Sequence, residues 1–139
     1  MEKNKITVQS TINADIQKVW TYWTSPEHIV NWNFASDDWH CPFAKNDVRT
    51  GGKFSSTMAS KDGKMSFDFG GEYDEVVDQK KLAFTMADGR QVIVSFEDMG
   101  NNTTKVTEAF DAENTHSDEM QRAGWQAIVN NFKKYVEAA

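Results

Sequence analysis

Leu82-Ala83-Phe84-Thr85-Met86-Ala87-Asp88-Gly89-Arg90-Gln91-Val92-Ile93-Val94-Ser95-Phe96 is the stretch that decides the fold of this 139-residue chain. Leu82, Phe84 and Met86 fall on one face of an alternating segment, and Val92, Val94 and Phe96 on one face of the next. Asp88-Gly89 between them is a tight-turn signal, so the two segments pair as an antiparallel hairpin. The same pattern extends on both sides. Asp62-Gly63 and Gly100-Asn101-Asn102 are further turns, which gives strands over about 53–60, 64–77, 81–87, 90–98 and 103–111. Met65, Phe67, Phe69 and Tyr73 share a parity interrupted by Gly70-Gly71, the expected place for a bulge or a bend that curves the sheet.

Outside that run the order is simple. Lys5 to Ile12 alternates with Ile6, Val8 and Ile12 on one face, a half-buried strand. Asn13 is read as the cap, and Asp15 as a first-turn acid, of a helix with Ile16, Val19, Trp20 and Trp23 at helical spacing. Pro26 ends it near Thr24 and opens a second short helix, capped by Ser25 and carrying Ile29, Val30 and Trp32. Residues 33–51 show no period and are read as a long loop. The last 25 residues form the longest helix, about 115–137. Thr115 and Asp118 are its expected capping pair, and Trp125, Ile128, Phe132 and Val136 its apolar stripe. An antiparallel sheet with one apolar face needs a cover, and only this helix is long enough. The expectation is a single α+β domain, 1–139: a curved antiparallel sheet of six or seven strands around a long C-terminal helix, with two short helices after the first strand.

Charge and composition exclude several classes. Fifteen basic against 21 acidic residues leave a net charge of −6, which argues against a basic face for nucleic acid or an anionic membrane. The longest aliphatic run, Val92-Ile93-Val94, is too short for a membrane span. Met1-Glu2-Lys3-Asn4-Lys5 does not read as an export signal, so a cytoplasmic setting is expected, as a monomer or weak homodimer. Cys41 is the one cysteine, so no internal disulfide forms, and no Cys/His cluster offers a metal site; no cofactor is expected.

Catalytic signals are sparse. No GxSxG, HExxH, Walker or Rossmann pattern occurs. His28, His40 and His116 are far apart, on a helix, in the loop and at a helix start. His40 adjoins Cys41, yet neighbours on an extended segment point to opposite sides, which argues against a nucleophile–base pair. Glu108 is different. By alternation it shares the concave face with Val106 and Phe110, where a carboxyl must be paired, hydrogen-bonded or protonated unless a bulge turns it to solvent.

Leu82 is the only leucine, against nine Phe, five Trp and six Met. By parity, Trp32 and Trp39 from the helix–loop segment, Phe54, Met58, Phe67, Phe69, Phe84, Met86 and Phe96 from the strands, and Trp125 and Phe132 from the last helix converge on one interior. With Glu108 as a polar anchor they are expected to enclose a mainly apolar ligand cavity, adaptable at Met58 and Met86 and gated by the loop at 33–51. The competing reading is a solid core closed by the same large rings.

Val19-Trp20, Trp23-Thr24-Ser25-Pro26-Glu27-His28 closing on Trp32, Gly51-Gly52-Lys53-Phe54, Gly71-Glu72-Tyr73 with Val76-Val77, and Gly124-Trp125 with Phe132 and Tyr135 occur in order over nearly the whole chain. Together they resemble the START-like or Bet v 1-like helix-grip superfamily (SRPBCC), most of all its small bacterial branch related to the C-terminal domain of the activator of Hsp90 ATPase. The resemblance implies a sheet gripping the final helix and says little about chemistry, since one fold hosts many functions. Asp78-Gln79 stands where the family often has a proline, and Ile128, Val129 and Phe132 where it usually has leucines. The N-terminal domain of the eukaryotic co-chaperone has no counterpart here, so Hsp90 activation is not carried over. The expected function is non-catalytic binding of a small hydrophobic or amphipathic molecule between sheet and helix. The alternative is a protein-interaction, co-chaperone-like module with a place in a stress response, and a cyclase- or hydrolase-type enzyme has the least support.

Overall fold

A computed structural model describes residues 5–139; the N-terminal segment considered for an export signal lies, but for Lys5, outside the described residues. The elements are β1 (Lys5–Ile12), α1 (Ile16–Thr24), α2 (Pro26–Ile29), β2 (Trp39–Asn46), β3 (Lys53–Ser60), β4 (Ser66–Val77), β5 (Lys81–Met86), β6 (Gln91–Gly100), β7 (Thr103–Asp111) and α3 (Asp118–Ala138). The seven strands make one antiparallel sheet in the order β1-β7-β6-β5-β4-β3-β2. Strands β2 to β7 are a meander, and β1 closes its far side beside β7. The architecture is the expected α+β one.

The segment 33–51 is not one loop. Its middle is β2, paired with β3 from Trp39↔Ser60 to Asn46↔Phe54, with a register shift between His40 and Phe43. That shift falls at Cys41-Pro42, and proline has no N–H for a ladder. The irregularity breaks the two-residue period and hid the strand. The flanks are tied down as well. Asn131 Nδ2 donates to the carbonyls of Trp32 (3.3 Å) and Phe34 (3.1 Å), and Gly51 N–H donates to the Tyr73 carbonyl (2.9 Å). The expected gate is thus mostly anchored structure.

Helix starts moved by two residues. Asp15, not Asn13, caps α1 by accepting from Lys18 N–H. Ser117, not Thr115, caps α3 by accepting from Met120 N–H, because the side chain of buried Gln121 holds residues 113–116 out of the helix through the backbone of Glu113 and His116. The irregularity of β4 lies at Asp74, between the pairs Tyr73↔Phe84 and Glu75↔Ala83, rather than at Gly70-Gly71. It switches parity, so Tyr73 faces inward and Val76, three residues on, packs inward too. The glycine pair serves close approach. A Cβ on Gly70 would meet the Phe54 carbonyl oxygen at 2.5 Å, and one on Gly71 the Thr85 carbonyl oxygen at 2.5 Å. Gln79 has φ 61°, which the fixed ring of proline cannot adopt, so the family's usual proline cannot stand at that position.

The long helix does not sit centrally in the sheet. It rests on β1 and α1. Gln126 exchanges two hydrogen bonds with the backbone of Gln9, Lys133 Nζ donates to the Thr11 carbonyl, and Glu137 accepts from Asn13 N–H at 2.8 Å. These side chains satisfy the outward backbone groups of β1 and cover that edge. Beneath the helix Val8, Ile12, Val19, Val106, Val129, Phe132 and Val136 form a dense core. The inner faces of β3–β5 lie beyond the helix.

Candidate ligand cavity

Alternation along β3, β4 and β5 turns Phe54, Phe69, Tyr73 and Phe84 inward on the uncovered half of the sheet. The rings meet around Phe54, with centroids 4.6 Å to Phe84, 5.1 Å to Tyr73 and 5.9 Å to Phe69. Trp125 reaches over from α3, stacked on Phe110 at 3.9 Å and edge-on to Phe69 at 5.8 Å. Between these rings and the helices lies a cavity of about 230 Å³, bounded also by Trp23, Ile29, Trp32, Met58, Leu82, Met86 and Ile128.

Nine of the twelve residues singled out from sequence border this cavity: Trp32, Phe54, Met58, Phe67, Phe69, Phe84, Met86, Glu108 and Trp125. Phe67 does so from the rim, 52% exposed, because the β3–β4 hairpin runs past the helical cover. Three do not border it. Trp39 is at the start of edge strand β2 and packs on Phe67 at 5.8 Å. Phe96 is buried under α1, against Trp20 and Trp23. Phe132 lies in the dense core between Trp23 and Trp32. Trp125 packs its ring on Phe69 and Phe110.

The polar groups of the wall fall into two sets. One is tied to the protein: Tyr73 Oη donates to Asn46 Oδ1 (2.7 Å), and Asn46 Nδ2 donates to the Thr24 carbonyl (2.8 Å). Burial pushes the Tyr73 phenol up to about 12. Arg90, at the turn after β5, is held by Asp88 at 2.7 Å. The other set is unpartnered. No hydrogen bond from a described residue reaches the side chains of Asn33, Ser56 or Glu108, all buried and all on the wall. Among the described residues no fully enclosed side-chain nitrogen or oxygen lacks a partner, so these atoms keep a face open to the cavity.

Glu108 is 7% exposed, and burial alone pushes its carboxyl up to about 8. At neutral pH it is mostly an uncharged acid with a proton to donate. Its sheet neighbours are Val8 and Val94, and Val94 in turn pairs with Leu82. Arg90 lies past Met86, four residues along β5 from Leu82, or roughly 13 Å at ordinary strand rise. The cavity thus has an acid at one end and a guanidinium towards the other. Trp23, Asn33, Asn46, Ser56, Tyr73 and Arg90 were missed by the sequence reading; the inward parity of Tyr73 and the helical spacing of Trp23 were the signals available.

Buried Cys41 and exposed His40 point apart and make no pair. Burial pushes the Cys41 thiol up, away from the thiolate a nucleophile needs. No group of three or more His, Cys, Asp or Glu among the described residues is placed to hold a metal ion. No described helix is long and apolar enough to cross a membrane.

A curled seven-stranded sheet, two short helices and a long helix beside a cavity define the bacterial helix-grip (SRPBCC) class. Residues 13–137 match the family described as activator of Hsp90 ATPase homolog 1-like protein, AHSA1, and the chain belongs to that family. It is similar to an AHSA1-like protein from Aeromonas hydrophila: 44% identity, 97% of this chain and 93% of that one covered, TM-score 0.90. A protein from Cytophaga hutchinsonii is 51% identical over 96% of this chain and 92% of its own, TM-score 0.83. A protein from Nitrosomonas europaea shares the fold at 19% identity, with 96% and 94% covered and TM-score 0.82. A comparison with curated proteins finds no match.

Proposed function

We propose that this protein binds a small apolar or amphipathic molecule in the cavity between β3–β5 and the helices, without catalysing a reaction on it. The observation that carries the reading is an interior of about 230 Å³ with aromatic walls, bordered by three buried polar side chains that have no side-chain hydrogen-bond partner among the described residues. Ligand sites are built this way, from apolar walls and a few placed polar groups. Size narrows the class. An apolar cavity of about 150 Å³ takes a benzene, so this one suits a two-ring molecule of about ten non-hydrogen atoms. A reducing cytoplasm suits the lone thiol of Cys41.

The test is a thermal-shift and tryptophan-fluorescence screen of one- to three-ring compounds. A ligand at about a hundred times its Kd stabilises the native state by about 2.7 kcal/mol, a clear rise in Tm. Trp23, Trp32 and Trp125 border the cavity and report the same event optically. A broad screen with neither signal overturns the reading. A protein-interaction role has one observation of its own: Phe43, 52% exposed, lies on the edge strand β2.

A further inference from the structure

Glu108 narrows the class of ligand, a step that rests on the ligand-binding function proposed for the cavity. The carboxyl is more than nine-tenths buried, borders the cavity and has no hydrogen-bond partner among the described residues. On the strands beside it stand Val8 and Val94, and Leu82 pairs with Val94 in turn. None of these apolar groups can solvate a carboxylate. We propose that the cavity selects uncharged ring compounds carrying a carbonyl group, whose oxygen accepts a hydrogen bond from the Glu108 carboxyl.

The alternative occupant of such a site is a cation. Seating an ammonium there means desolvating two charges, a cost that their attraction repays only with further hydrogen bonds, and the strand neighbours Val8 and Val94 offer no side-chain group to make them. A neutral acid needs only one acceptor. No described residue supplies one, and a ligand carbonyl is the simplest group that does. The ordinary carboxylate would repel a carbonyl oxygen, and burial, which holds Glu108 uncharged up to about pH 8, removes that repulsion. The other charged or titratable side chains on the wall are Lys45 from β2, Tyr73 from β4 and Arg90 after β5; β1, β6, α1, α2 and α3 contribute none. The Tyr73 phenol, pushed up to about 12, stays protonated wherever Glu108 titrates.

Three compounds on one two-ring frame separate the possibilities: tetralin, 1-tetralone and 1-aminotetralin, titrated calorimetrically into the full chain. The ketone should bind about tenfold tighter than the hydrocarbon at about pH 6, the value of one good hydrogen bond, and the amine weakest. At about pH 9 the ketone should lose roughly tenfold while tetralin is unchanged, because the carboxylate has no proton to donate. Glu108→Gln, whose amide donates but does not titrate, should keep the ketone preference and lose the pH dependence. Glu108→Leu should bind tetralin and ketone alike. Preference for the amine, or a ketone preference that survives in Glu108→Leu, overturns the proposal. Equal binding of tetralin and ketone by the unaltered protein overturns it too and leaves the ligand-binding reading standing. Binding of none of the three overturns both.

Discussion

Glu108 and Phe132 show how single side chains on the same inner surface serve opposite ends. Phe132 is fully buried between Trp23 and Trp32 and does not itself border the cavity, so Phe132→Ala leaves a void among rigid rings. The expected loss is about 3–5 kcal/mol, read from denaturant unfolding. A loss below about 1 kcal/mol would mean that the helix is not clamped there. Glu108 costs stability instead. Its carboxyl titrates near its ordinary value in the unfolded chain and at about 8 in the folded one, so between those values the native state holds the extra proton. The cost is absent below about pH 4.5, where both states are protonated, and grows as pH rises to about 8, by about 1.4 kcal/mol per unit. Other groups have slopes of their own, so the reading is the difference between the unaltered protein and Glu108→Gln, which should gain stability relative to it from about pH 5 to 8. Parallel curves would place the carboxyl in water. Alternation along β7 was enough to put Glu108 inside. Its lack of a partner was not legible, because hydrogen bonding depends on which groups the other strands bring near.

At the scale of elements, strands with clean alternation and glycine turns were legible, and β2 was not. The strand β2 has its period broken at Cys41-Pro42, and half its side chains face solvent at a sheet edge. Backbone pairing with β3, a long-range property, makes it a strand. The glycine pair of β4 answers to crowding. Carbonyl oxygens of β3 and β5 lie where side chains of Gly70 and Gly71 would begin. Gly71→Ala should therefore cost roughly 1–3 kcal/mol, as overpacking does, and loosen the adjoining pair with Met86. Amide exchange along β4 and β5 measures it. Unchanged stability and unchanged protection there would show that the approach of the strands is slack.

For the whole molecule, what matters is where the long helix lies across the sheet. One helix covers about 10 Å, whereas seven strands at about 4.8 Å spacing span nearly three times that before curling. The helix α3 spends its cover on β1, whose edge it also caps through Gln126, Lys133 and Glu137. The valine-rich half beneath it is solid, and the phenylalanine-rich half beyond it keeps a cavity. Parity identified the inward side chains of both halves. It carried no information on the helix offset, which is why Phe96 and Phe132 were grouped with Phe54 and Phe84 although they lie on different sides of that division. Ligand binding requires the cavity half to admit a molecule, and the methionines make that directly measurable. Met58 and Met86 border the cavity, while Met65, Met99 and Met120 are exposed elsewhere. With ¹³C-methyl methionine and tetralin as titrant, the Met58 and Met86 resonances should shift together and saturate, and the other three should stay in place. Resonances that all stay fixed, or shifts confined to Met65, Met99 and Met120, would contradict an internal ligand site.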